Sequence, residues 1–122
     1  MLFVEDEVAL RDLMHRVLIK GGYTVLAAGD GVEALSTVEA HPTRIDLVVT
    51  DVIMPRMSGP DLVARLQARQ PGIRVLYVSG YTADQLRAQA DLGRGATLLA
   101  KPFTSDGLLR KVREVLDQPR PR

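Results

Sequence analysis

Short runs of β-branched and other apolar residues alternate along this chain with longer stretches in which apolar positions recur at i, i+3, i+4 and i+7. The short runs predict strands at Leu2–Val4, Tyr23–Ala27, Leu47–Thr50, Val75–Val78 and Thr97–Ala100. The longer stretches predict helices. The first places Leu10, Leu13, Met14 and Val17 inward and is stopped by Gly21-Gly22. The second spans about Gly31–His41, turning Val32, Leu35 and Val38 inward, with Pro42 just beyond it. The third opens at Gly59-Pro60, where proline suits a first helical turn, and buries Leu62, Val63 and Leu66 before Pro71-Gly72. A fourth and more polar segment covers about Ala83–Leu92 and ends near Gly93. The last follows Thr104 or Ser105 as its cap and carries Leu108, Val112, Val115 and Leu116.

Consecutive strand–helix units imply an α/β fold, a parallel sheet with helices on both faces. Runs such as Leu47-Val48-Val49 and Val75-Leu76-Tyr77-Val78 suit strands buried on both sides. Residues 1–117 read as one domain, and 118–122 as a disordered tail or the start of a linker. At 122 residues, 46% hydrophobic and 25% charged, the chain fits one compact globular unit. A net charge of +1 advertises neither nucleic acid nor a membrane surface. The absence of cysteine excludes disulfides, thiolate-bound zinc and thiol catalysis. His15 and His41 are far apart and read as solvated helix residues rather than a metal site. No apolar run approaches the about 20 residues that span a bilayer, and Glu5, Asp6 and Glu7 interrupt any signal-peptide pattern. The expectation is a soluble, cytoplasmic domain.

In an open parallel sheet, ligands bind beyond the carboxyl ends of the strands. Strand one ends in Glu5-Asp6-Glu7, strand three in Asp51, strand four in Ser79-Gly80 and strand five in Lys101-Pro102. Strand two offers only Asp30, which places it outside the site. Carboxylates from two strand ends attract a hard cation, and Mg²⁺ suits a site with few protein ligands. A carboxylate can itself act as a nucleophile toward phosphorus, with an ammonium and a hydroxyl supporting the phosphate oxygens.

The segments Val4-Glu5-Asp6-Glu7, Asp51-Val52-Ile53-Met54-Pro55-Arg56-Met57-Ser58-Gly59, Val78-Ser79-Gly80-Tyr81 and Lys101-Pro102-Phe103-Thr104 resemble the four signature blocks of response-regulator receiver domains, in order and along essentially the whole chain. The resemblance implies a flavodoxin-like three-layer α/β/α fold with strand order 2-1-3-4-5, and a cis Lys101–Pro102 bond. It implies that Asp51 is the phosphoacceptor, that Asp6 binds Mg²⁺ directly, that Glu5 acts through metal-bound water, and that the Ile53 carbonyl is a third protein ligand. Ser79 matches the hydroxyl residue that follows the phosphate, and Lys101 the lysine of the family. The implied partner is a sensor histidine kinase or a phosphotransfer domain, and the implied chemistry is phosphorelay rather than turnover by an enzyme in the usual sense. Glu5 in place of Asp is a frequent variation. Gly80 replaces a common Ala, and Leu98 stands where many receivers carry Tyr or Phe, so the switch is expected to report through Ser79 and Tyr81 instead. Ser79-Gly80-Tyr81-Thr82, Lys101-Pro102-Phe103 and the helix at residues 108–117 look most like receivers fused to the C-terminus of hybrid sensor histidine kinases.

Taken singly, each block has a plainer explanation. Glu5-Asp6-Glu7 can cap a helix, Asp51 can begin a turn into Pro55, and Ser79-Gly80 can be a strand-end turn. Lys101 can be a surface lysine, and Met54 and Met57 are expected to pack. Their convergence on one edge favours chemistry. A haloacid-dehalogenase-like phosphatase needs a second carboxylate two residues after its nucleophile, where this chain has Ile53. A flavin-binding relative needs a Ser/Thr/Gly-rich phosphate loop after strand one, where this chain is acidic. A free-standing regulator and a piece of a larger protein both remain open.

Overall fold

The computed structural model describes residues 1–42, 44–80 and 97–119. Strands β1 (Leu2–Val4), β2 (Leu26–Ala28), β3 (Leu47–Asp51), β4 (Arg74–Ser79) and β5 (Thr97–Ala100) form one sheet in the order β2-β1-β3-β4-β5. All four pairings are parallel. The helices are α1 (Val8–Lys20), α2 (Gly31–Ala40), α3 (Gly59–Arg69) and α4 (Ser105–Leu116). The helix expected at 83–92 and Tyr81 lie outside the described residues.

Even in the continuously apolar strands, side chains divide by parity because successive residues point to opposite faces. Leu2, Val4, Val48 and Tyr77 pack with Ala34 and Val38 of α2 and Leu62, Val63 and Leu66 of α3. Phe3, Leu47, Val49, Leu76 and Val78 pack with Met14 and Leu18 of α1 and Leu108, Val112 and Val115 of α4. The sheet thus separates two apolar cores, giving the expected three layers.

The helix starts follow local chemistry. Asp30, Ser58 and Thr104 each accept a backbone N–H at their helix N-terminus, from Glu33, Asp61 and Gly107 respectively. Of the two capping candidates for the last helix, Thr104 makes the bond, at 2.9 Å.

Three expectations need correction. Strand β2 begins at Leu26 rather than Tyr23, because it pairs only with the three-residue β1, whose first paired residue Leu2 meets Leu26; Tyr23 N–H instead turns back to the Leu18 carbonyl. Val32 and Leu13 are solvent-facing, and Ala34 and Leu18 take the inward positions. His15 is not simply solvated: it is half-buried, with Nε2 3.2 Å from the Val25 carbonyl oxygen. His41 is exposed, as expected. Met54 packs in the core and Met57 against it.

Candidate functional site

Among the described residues, the buried polar and charged side chains are Glu5, Thr50, Asp51 and Ser79. All four lie at the carboxyl ends of β1, β3 and β4, where an apolar core would otherwise continue. Asp6, Asp51, Ile53, Val78, Ser79, Gly80 and Lys101 line a cavity of about 150 Å³ there. Asp51 closes β3 opposite Val78, so its backbone is held by a central strand. Thr50, fully buried beside it, donates from Oγ1 to the Asp51 carbonyl oxygen at 3.1 Å. Gly59 N–H donates to the Val52 carbonyl at 2.7 Å, bringing the start of α3 against the phosphoacceptor candidate's main chain.

Lys101 Nζ lies 2.7 Å from Glu5 Oε1 and 2.9 Å from Asp51 Oδ1. Its own N–H donates to the Ser79 carbonyl at 2.8 Å, which ties the exits of β4 and β5 together. The Lys101–Pro102 bond is cis, as the sequence resemblance implies. Glu5, Asp6 and Asp51 each place a carboxylate oxygen within 4.8 Å of the others, so this cluster can hold a metal ion. The helix-cap explanation of the acidic run does not hold. Glu7 occupies the cap position of α1 without a side-chain bond, while Glu5 Oε2 accepts from Glu7 N–H at 3.0 Å.

The shared lysine treats its partners unequally. Burial pushes the Glu5 carboxyl up, but Lys101, the Glu7 N–H and Asp6 more than offset this and hold it below its ordinary value. Burial pushes the Asp51 carboxyl up to about 7; Lys101 opposes that push and the Glu5 charge adds to it. Burial disfavours the Lys101 ammonium, yet its bonds to Glu5 and Asp51 carry its pKa above the ordinary value.

A family profile described as the response regulator receiver domain matches residues 1–113. The chain belongs to the response-regulator receiver family. The receiver is 40% identical over 117 residues to the sensor kinase CckA of Brucella abortus, covering 96% of this chain but 12% of that protein. It is 30% identical to the receiver protein CpdR of the same organism, covering 94% of each. Among solved structures, the receiver domain of the hybrid histidine kinase CckA matches with a TM-score of 0.78 at 38% identity, covering 95% of this chain and 97% of that one. The Vibrio cholerae chemotaxis protein CheY4 matches with a TM-score of 0.79 at 32% identity, covering 93% and 95%. The chain is therefore a two-component signalling receiver with the flavodoxin-like architecture. No helix among the described residues is long and apolar enough to cross a membrane.

Sequence reasoning placed Glu5, Asp6, Asp51, Ser79 and Lys101 at strand ends, and the resemblance added Ile53; all line one cavity except Glu5, which pairs with the cavity-lining Lys101. Leu98 sits apart, half-buried on β5 opposite Tyr77 and packed against the core shared with α2 and α3. Thr50 was missed because a buried threonine in a strand carries no local signal. Arg11 was missed as well. It reaches back from α1 to donate to the Glu5 carbonyl at 3.1 Å, a contact that only the folded loop creates.

Proposed function

We propose that residues 1–117 accept a phosphoryl group on Asp51 from the phosphohistidine of a sensor histidine kinase or phosphotransfer domain, in the cytoplasm, with Mg²⁺. The observation that carries this reading is the 2.9 Å pairing of buried Asp51 with Lys101 beside two further carboxylates, at the mouth of a small cavity. An Asp51 carboxylate oxygen attacks phosphorus as the P–N bond to imidazole breaks; the imidazole takes its proton from solvent, and a mixed anhydride remains on the aspartate. Lys101 then has a phosphate oxygen to bind in place of the free carboxylate, and the Ser79 hydroxyl has a short path to another.

The donor set is all oxygen, which fits a hard divalent cation. Asp6, Asp51 and the Ile53 carbonyl would hold Mg²⁺, which when bound supplies charge neutralisation at the phosphoryl oxygens. Glu5 has both oxygens engaged, by Lys101 and by Glu7 N–H, whereas Asp6 is exposed. That contrast supports Asp6 as the direct ligand and Glu5 as one acting through water. With an aliphatic Leu98 half-buried against the core, we assign the response to Ser79 and Tyr81 rather than to a rotating aromatic on β5.

Incubation with acetyl phosphate and Mg²⁺, followed by intact-mass measurement, should show one added phosphoryl group. Asp51→Asn and EDTA should each abolish it; equal labelling of the variant would refute the assignment. The likeness to a receiver within a hybrid kinase supports a place beside a kinase core in a longer polypeptide, which the reading frame upstream of Met1 tests.

A further inference from the structure

Three consecutive residues outside the cavity meet both of the loops that carry its acidic groups. They are Gly29, Asp30 and Gly31, the turn from β2 into α2. A Cβ on Gly29 would come within 2.7 Å of Arg11 Nη1, the same nitrogen that donates to the Glu5 carbonyl beside Asp6. Asp30 divides its two oxygens. Oδ1 accepts Glu33 N–H at 2.8 Å and starts α2, while Oδ2 accepts Arg56 Nη1 at 3.1 Å. Gly31 is buried under Met57, where an added Cβ would lie 2.9 Å from Sδ, 3.0 Å from Cβ and 3.2 Å from Cγ.

Arg56 and Met57 belong to the loop between Asp51 and α3, whose Ile53 lines the cavity. Arg56 has a φ of 70°, the left-handed region that a non-glycine residue enters only at a cost of about 1 kcal/mol or more. Its neighbours must hold it there. The adjoining ion pair and the packed methionine are placed to do so.

We propose that the Gly29-Asp30-Gly31 turn is a positioning clamp, setting the separation of the Glu5-Asp6 loop and the Ile53 loop without touching the ion they bind. This rests on the reading of the cavity as a cation site. The two glycines differ in what they protect. At Gly29 the neighbour is the tip of a flexible arginine, which can swing aside. At Gly31 it includes Met57 Cβ, fixed to the backbone, so the loop itself must move.

Mg²⁺ titrated calorimetrically into the full chain tests the clamp. Gly31→Ala should weaken binding about tenfold, the low end for residues that orient metal ligands, and Gly29→Ala should change it less. Adding Met57→Gly, which removes Cβ as well as Cγ and Sδ, to Gly31→Ala should restore affinity to within about twofold of Met57→Gly alone, a recovery that general destabilisation would not give. Asp30→Asn keeps the helix cap but loses the ion pair. It should weaken binding about two- to fivefold at low salt, with the difference shrinking at high salt. Wild-type affinity in Gly31→Ala, or no recovery in the double variant, would overturn the clamp while leaving the cation site standing. If Gly31→Ala does not fold, unchanged low-salt affinity in Asp30→Asn overturns it instead. A wild-type chain that binds no Mg²⁺ removes the cation-site reading and the clamp together.

Discussion

Replacing Asp51 with Asn should stabilise the cation-free protein, and the gain should grow with pH. Burial pushes the Asp51 carboxyl up to about 7 from the ordinary value of 3.8, against the pull of Lys101 and with the help of Glu5. Between those values the folded state keeps a proton that the unfolded chain has released, so stability falls as pH rises. The slope is about 1.4 kcal/mol per pH unit while only the folded form is protonated. Integrated from about pH 5 to about pH 8, wild type should lose about 2–3 kcal/mol that Asp51→Asn keeps. The charged bond to Lys101 forms as Asp51 ionises, and its pull is already contained in that value of about 7, so it adds nothing further to the change with pH. The change with pH is therefore the cleaner quantity. Glu5 is held below its ordinary value, so its stabilisation is lost only as pH falls beneath the window. Lys101 is raised, so its contribution fades only at alkaline pH. The histidines are common to both proteins and cancel. Urea denaturation in EDTA at constant ionic strength, followed by far-ultraviolet circular dichroism, measures the difference. A gap that stays flat with pH, or that closes as pH rises, would refute the reasoning.

Saturating Mg²⁺ should raise the melting temperature of wild type by mass action, and Asp6→Ala should abolish that shift far more completely than Glu5→Ala; calorimetric melts with equal losses would contradict the ranking. Lys101→Ala leaves Glu5 and Asp51 buried without their counter-charge and should cost about 2 kcal/mol near neutral pH, less in acid where Asp51 can protonate; an unchanged urea midpoint would show the ion pairs to be dispensable. A Cβ on Gly59 would lie well inside van der Waals contact with the Asp51 carbonyl oxygen, so Gly59→Ala should destabilise by about 3 kcal/mol and reduce phosphoryl labelling. Wild-type values for both would mean that α3 can shift freely.

Elements with strong, redundant signals were legible in the sequence. Helix α3 has a serine cap, an early proline and three apolar residues at helical spacing, and Leu62, Val63 and Leu66 are all buried. Strands β3 and β4 read correctly because they lie between neighbours on both sides, although each gains residues that only pairing reveals: Asp51 joins through Val78, and Ser79 through Ala100. Edge strand β2 was read too early because its propensity for extended structure at Tyr23–Val25 meets no partner strand. In α1 and α2 the apolar period admitted more than one inward face: Val32, read as inward from that period, is exposed, and small Ala34 is buried instead. The strand-end residues of the site were legible because parallel topology decides where chains exit the sheet. The contacts that support them were not. Arg56 and Asp30 are separated by 26 positions, and no local pattern announces such a pair.

The sharing of Lys101 between two carboxylates sets the electrical state of this pocket. Above the pH of about 7 at which Asp51 ionises, the carboxylates of Glu5, Asp6 and Asp51 face the one ammonium of Lys101, an excess of two negative charges. Under the proposed function the phosphoryl donor is itself an anion, and the bare pocket repels it. One divalent cation cancels the excess. The approach of the donor, and not only the bond-making that follows, is then conditional on the ion. Because field strength at an exposed mouth is screened over about 8 Å at physiological salt, the penalty for lacking it should be felt mainly in the last steps of encounter.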